Sequence, residues 1–292
     1  MDKKYIGVFS ILCASLMWAI EPVFAKLSYE TADFLETSAI RALFAALTAL
    51  FYVVITNKSK LAIKKHQVPT VWYIAVVGTL FADLMYFFAL NQVPVINAVV
   101  IGHMQPIFII VFALVFLKGD RLSLIDYLGI VLMMISALLV TTRSLDHLFS
   151  YQFGTIGDVL VLSATIAWAT TAIAMRRYLK DVHAGVITFY RFSIASLFLV
   201  IYLLFTTNLS INNGYQILLG FIVGLGTILY YEGLKRLKAA QVSGLELSTP
   251  FFAAILAFFM LGELVTLLQL VGMLLLLVGI YLLSKKEKPI QG

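Results

Sequence analysis

Ser15-Leu16-Met17-Trp18-Ala19, near the start of the chain, is answered by Thr165-Ile166-Ala167-Trp168-Ala169 beyond its middle. The correspondence continues downstream. Trp18 precedes Arg41 by the same spacing at which Trp168 precedes Arg191. Pro106 is then matched by Pro250, and Gly119-Asp120, Gly129 and Ser136 by Gly262-Glu263, Gly272 and Gly279, at identical internal spacing. Around these marks the apolar stretches number ten, five to a copy. An odd number of spans turns the second copy upside down in a bilayer. The expected fold is therefore an all-α membrane protein, with ten transmembrane helices in two inverted five-helix repeats. Inverted repeats typify alternating-access transporters, whose substrate site lies between the copies near the midplane.

Composition agrees with that class. Of 292 residues, 62% are hydrophobic and 12% charged, against roughly 45–50% and 25% in soluble domains. The apolar runs are ~18–22 residues long, enough to cross ~30 Å of hydrocarbon at 1.5 Å per residue. They read as spans 5–25, 34–56, 71–90, 95–117 and 122–142, then 156–175, 184–206, 214–234, 240–261 and 264–284. The repeats occupy 5–142 and 155–284 and together form one transmembrane domain. Lys3 and Lys4 before an apolar run imitate a signal peptide, but the run is long and carries Trp18, Glu21 and Pro22. It reads as a retained first span. The single cysteine, Cys13, allows no internal disulfide and reads as a packing residue.

The net charge of +6 is a topology signal, and no nucleic-acid partner is expected. Seventeen of the twenty-one basic residues fall at the two ends of the chain or after even-numbered spans, Lys58, Lys64, Arg177, Lys235 and Lys286 among them. By the positive-inside rule both termini are cytoplasmic, in a multi-pass protein of the cell membrane.

With Gly262-Glu263 followed by Gly272 and Gly279 in an apolar helix, the chain resembles the drug/metabolite transporter superfamily. It resembles the ten-span branch with two EamA domains. The resemblance implies a basket of spans one to four and six to nine around a central cavity, with spans five and ten as outer support. It also implies export of amino acids or related small metabolites, with sugars, nucleotide sugars and drugs elsewhere in the superfamily. Asp120 where glutamate is usual, and Ser136 in place of the last glycine, are mild departures.

Asp120 and Glu263 read as helix starts, where a carboxylate meets unpaired N–H groups. Gly129, Ser136, Gly272 and Gly279 lie two turns apart on their helices and read as contact stripes. Pro22, Pro106 and Pro250 fall within spans, where each frees the carbonyl of Trp18, Gly102 or Glu246 for a side chain, water or ligand.

The charges inside the spans carry most of the functional reading. They are Glu21, Arg41, Asp83 and His103 in the first half, and Arg191, Glu232 and Glu246 in the second. Unpaired, seven would cost about 20 kcal/mol, beyond typical total stability. Helix counting places the first set ~6–20 Å from the outer boundary, and the second ~3–10 Å from the inner one. Two clusters are expected: Arg41 with Glu21 or Asp83, and Arg191 with Glu246 or Glu232, acting as gates or as static pairs. Glu21 also resembles the proton-coupling glutamate of small multidrug exporters, although its repeat counterpart is Thr171. His103 is a candidate relay or a neutral hydrogen-bonded histidine.

Trp18, Trp168, Tyr86 and Tyr230 are expected to wall a substrate cavity rimmed by Asn97, His103 and Gln105. No phosphate-binding loop, zinc cluster or nucleophile elbow is present, so neither a cofactor nor a metal is expected. The expected function is secondary transport of small metabolites such as amino acids, export favoured, by one chain that suffices as a monomer. Proton-coupled export of cationic or aromatic drugs is the alternative. A membrane enzyme would cluster catalytic groups near one face, which the mirrored charges do not do, and a channel lacks a ring-forming filter.

Overall fold

The structure, a computed structural model, describes residues 3–56, 61–105, 107–109, 112, 124–142, 154–206, 209–237, 242, 245–246 and 248–284. Ten helices follow one another among them: α1 (Lys3–Ser28), α2 (Phe34–Thr56), α3 (Lys65–Ala89), α4 (Val95–Gly102), α5 (Leu124–Thr142), α6 (Ile156–Tyr178), α7 (Ala184–Thr206), α8 (Gly214–Arg236), α9 (Thr249–Leu261) and α10 (Leu267–Ser284). Six of them, α1, α2, α3, α6, α7 and α8, are long and apolar enough to cross a membrane, and shorter apolar helices complete the bundle. Large apolar side chains such as Phe9, Phe51, Phe205 and Phe259 cover the outside. That is the pattern of a protein whose solvent is lipid, since only helices or closed barrels satisfy their own backbone there.

Packing between the halves is closer than packing within them. α1 lies chiefly against α8, α3 against α6, α2 against α7 and α8, and α5 against α10. The last contact runs through the predicted small-residue stripes. A Cβ on Gly272 would stand 3.0 Å from the Ser136 carbonyl oxygen, and one on Gly279 would stand 2.9 Å from that of Gly129. Later residues of α10 thus meet earlier residues of α5, so the two repeat-equivalent helices run antiparallel. The same holds for α2 and α7: Gly185 abuts Tyr52 and Val53, whereas Ala39 and Ala42 cluster with Leu199 and Leu203.

One end of the bundle is tied by side chains from both halves. Asn213 Nδ2 donates to the Ser28 carbonyl at 3.0 Å and to Thr31 Oγ1 at 2.8 Å. Asn97 Nδ2 donates to Asp158 Oδ1 at 3.1 Å, while Gln269 Nε2 donates to Asn97 Oδ1 at 2.9 Å. At the other end Tyr190 donates to the Leu61 carbonyl at 2.7 Å.

Two expectations about helix termini are corrected. Glu263 does not cap its own helix. α10 starts later, where Thr266 and Gln269 cap each other, and Glu263 accepts from Val95 N at the start of α4 (2.8 Å) and pairs with Lys26 Nζ (2.7 Å). Gly262 allows this turn by closing α9 in the left-handed conformation, φ 67°, a position that favours glycine. Pro250 does not interrupt a helix, because it sits in the first turn of α9, where an N–H would have no partner in any case. Pro22 does lie inside α1. Pro106, Gly119 and Asp120 lie outside the described residues.

Candidate functional site

A cavity of about 170 Å³ lies between the halves, lined by side chains of α1, α2, α3, α4, α6, α7 and α8 and by Glu246 just before α9. Among the described residues α5 contributes none to the lining, and α10 only Ile280. An apolar cavity of about 150 Å³ admits benzene, so this conformation suits a solute of amino-acid size.

Its aromatic wall is built from exchanged pairs. Trp18 of α1 packs edge-on against Tyr230 of α8, ring centroids 4.7 Å apart. Trp168 of α6 packs against Tyr86 of α3 at 5.2 Å. Each tryptophan therefore meets the tyrosine of the opposite half.

The charged wall is a single chain of contacts. Arg41 holds Glu21 Oε1 through Nε at 2.7 Å and Nη2 at 2.5 Å, and reaches Asp83 Oδ2 through Nη1 at 3.3 Å. Arg191 Nη2 lies 3.1 Å from Asp83 Oδ1, and Trp168 Nε1 donates to the same oxygen at 2.8 Å. Asp83 is thus the hub joining α3 to α2, α6 and α7. The predicted separate inner cluster gives way to this network: Arg191 pairs with an acid of the first half. Glu232 lies at the end of α8, paired with Arg236 and Lys235 one turn on, and is not among the cavity-lining residues. Glu246 does line the cavity. Helix counting gave depth but not side-chain reach, and an arginine spans the difference.

The backbone of α3 explains how Asp83 and Arg191 meet. Residues Ile74–Asp83 form a π-helix, and Leu84 N donates to Thr79 O, five residues back. Such segments are rare and cluster at functional sites. Within it the Gly78 carbonyl accepts from Trp168 Nε1 at 3.2 Å and from Arg191 Nη2 at 3.3 Å, while Thr79 Oγ1 accepts from Arg191 Nε at 2.8 Å. No sequence signal marked this π segment or the Gly78 carbonyl.

Of the other residues singled out from sequence, Gln105 lines the cavity, and so does His103, whose Nδ1 lies 2.7 Å from the Val99 carbonyl oxygen. Asn97 does not: it is fully buried between Asp158 and Gln269. As an amide in the first turn of α4 it ties α6 and α10 together. Residues missed by sequence are Thr227 and the Gly220/Gly224 pair. The register that aligns Tyr86 with Tyr230 aligns Asp83 with Thr227, which also lines the cavity. Gly220 and Gly224, at small-xxx-small spacing, let the backbone of α8 touch that of α2 beside Arg41.

Two stretches of the chain, residues 5–142 and 155–285, match a family model described as the EamA-like transporter family. The chain belongs to that family. EamA-like relatives include an uncharacterized transporter of Synechocystis, 27% identical over 70% of this chain and 62% of that protein. A pseudopaline exporter of Pseudomonas aeruginosa is 25% identical over 68% of this chain and 66% of its own length. This chain thus spans less than two thirds of either relative. An uncharacterized transporter of Methanothermobacter thermautotrophicus is 23% identical over 96% of this chain and 87% of that one. A solved crystal structure shares the fold, with TM-score 0.69, 16% identity and coverage of 96% and 97% of the two chains. This EamA-like protein is an integral multi-pass membrane protein.

Proposed function

We propose that this EamA-like protein is a secondary transporter exporting amino acids or related small metabolites across the cytoplasmic membrane. The halves alternate access around the central cavity, each in inverted topology, with ten spans and both termini cytoplasmic. The carrying observation is that one cavity is lined from both halves by repeat-equivalent pairs, Trp18 with Trp168 and Arg41 with Arg191. Movement of one half against the other must open or close such a site. The antiparallel contacts α2–α7 and α5–α10 support the inversion, and the name of the Pseudomonas relative supports the export direction. The cavity lies within one chain, so a monomer suffices. The end tied by Asn213, Lys26 and Glu263 is then the outer one.

Topology is tested by single cysteines in a Cys13→Ala background. His66→Cys and Ile211→Cys, both at exposed positions, are expected to react with an impermeant maleimide from opposite sides, Ile211→Cys from outside. Reaction of both from one side would overturn the inverted arrangement. Function is tested by a thermal-shift screen of the purified protein against amino acids, sugars, nucleosides and organic cations. A ligand at 100 times its Kd adds ~2.7 kcal/mol, and hits are then followed as efflux from proteoliposomes. Stabilisation and efflux confined to sugars or to bulky organic cations would replace the amino-acid reading.

A further inference from the structure

Toward the end tied by Asn213, Lys26 and Glu263, the cavity is shut by a seam between α1, α4 and α9. Ala19 and Val23 of α1, Val95 and Val99 of α4, and Ala253 and Ala257 of α9 are buried against one another there. Val99 also lines the cavity, as does Pro22 beside Val23. From Pro22 to Lys26 is about 6 Å along α1 at 1.5 Å per residue. Little more than one turn of helix therefore separates the cavity from that surface. The buried residues of the seam are alanines and valines alone, and side chains this small give helices little to disengage when they part.

Among the described residues one polar contact joins α1 to the other side of this seam. Lys26, one turn beyond Val23, places Nζ 2.7 Å from Glu263 Oε1, just past the end of α9. α4 is held differently. Glu263 Oε2 accepts from Val95 N at 2.8 Å, and Asn97 binds Asp158 and Gln269, so three contacts fix α4 to the second half. Asn213 joins the end of α1 to α8, which is not part of the seam. Glu263 is itself anchored, since its N donates to the Ala257 carbonyl at 3.2 Å across the turn at Gly262. The acid is thus a fixed post. The lysine, on a flexible four-carbon stem, is the part that lets go.

Resting on the transport reading above, we infer that Lys26 and Glu263 form the outer latch of the cavity. Paired, they hold α1 against α9, and the outward-open state requires them to part. The setting of the pair suits that role. A deeply buried pair cannot be separated without leaving uncompensated charge, and a fully exposed one holds almost nothing. With 22% of the Lys26 side chain and 19% of the Glu263 side chain accessible, water takes over both charges as the seam opens. The buried Arg41–Asp83 pair has no such replacement and serves as a joint.

The test follows seam opening directly, in a Cys13→Ala background. Val99→Cys, where the seam meets the cavity, is the reporter, and an impermeant maleimide is added outside intact cells. Lys26→Met and Glu263→Gln are each expected to speed its modification at least fivefold. The methionine keeps an unbranched stem and the glutamine keeps an acceptor for Val95 N, so both leave the packing in place. They change the local charge in opposite senses, so acceleration by both is not an effect of the reagent's own charge. Lys26→Arg, which keeps the ion pair, is expected to stay within twofold of the parent. A second reporter, Ser38→Cys, buried on α2 at the same end but outside the seam, is expected to stay unreactive throughout. Unchanged modification of Val99→Cys in the two neutralised variants would overturn the latch. So would acceleration by only one of them when both fold, or acceleration at both reporters together, which marks a loosened fold. A variant that fails to fold leaves its counterpart to decide. No solute takes part, so a latch that fails here leaves efflux of the screened solutes to judge the transport reading. A latch that behaves as expected in a protein that moves nothing stands, and counts against the transport reading alone.

Discussion

Asp83→Leu is expected to lower stability by about 3–5 kcal/mol, because removing one partner of a buried ionic network leaves the others uncompensated. Arg191 loses its ion-pair partner, Arg41 loses one of two, and Trp168 Nε1 loses its 2.8 Å acceptor. Glu232→Leu removes ion pairs with Lys235 and Arg236 on its own helix and is expected to cost well under that, on the order of 0.5 kcal/mol. Thermal unfolding in detergent, with the two variants side by side, gives the comparison. Combining Asp83→Leu with Arg191→Leu is expected to recover most of the stability, since Arg41 keeps Glu21. Transport is expected to stay impaired, because the cavity has lost the ion pair that joins α3 to α7 across the two halves. Equal stability of Asp83→Leu and Glu232→Leu would show that the network does not hold α3 to its neighbours.

Gly220→Val is expected to be nearly as damaging, at about 3 kcal/mol, although it adds no polar group. The first added carbon alone would stand 2.3 Å from Phe44 Cβ and 2.9 Å from the Arg41 carbonyl oxygen. Two backbones are in the way, so the helices must separate; overpacking of this kind costs about 1–3 kcal/mol and more where neighbours cannot yield. Separation of α2 from α8 shifts Arg41 relative to Glu21, so transport is expected to fall with the unfolding midpoint. Gly214→Ala is the control. Nothing lies within 4 Å of its added carbon, and the helix propensity gained over glycine, up to about 1 kcal/mol, is expected to leave it at least as stable as the parent. A Gly220→Val protein with an unchanged midpoint would contradict the close contact.

The repeat was legible because its marks are chemical rarities in an apolar chain, and tryptophan, arginine and proline at matched spacing are hard to miss among leucines. The same marks located the cavity residues Trp18, Tyr86, Trp168 and Tyr230. The pairing of Arg191 was not legible. Depth along a helix can be counted from its ends, but tilt, the widened turns of α3 and the length of an arginine decide what a guanidinium meets. Asn97 misled for a related reason. It lies on α4 with the cavity residues Val99 and Gly102, yet it sits on the face turned toward α6 and α10, and one sequence does not reveal which neighbours a short helix will have. Glu263 was read as belonging to the helix it precedes, whereas the chain turns at Gly262 and delivers its carboxylate to the first turn of α4, far away in sequence. Such long-range capping leaves no local signature.

The unequal sharing of acids bears on how the protein is made. Synthesis runs from the amino terminus, so Glu21, Arg41 and Asp83 enter the bilayer before Arg191 exists. The first half can compensate its own arginine while it waits, with Asp83 left to spare. Arg191 then arrives at a place where a counter-charge already stands, and the later half need carry no acid through the lipid on its behalf. In a chain with the halves in reverse order, that arginine would enter before Asp83. The order of the two copies along the gene is thus part of the electrostatics of assembly.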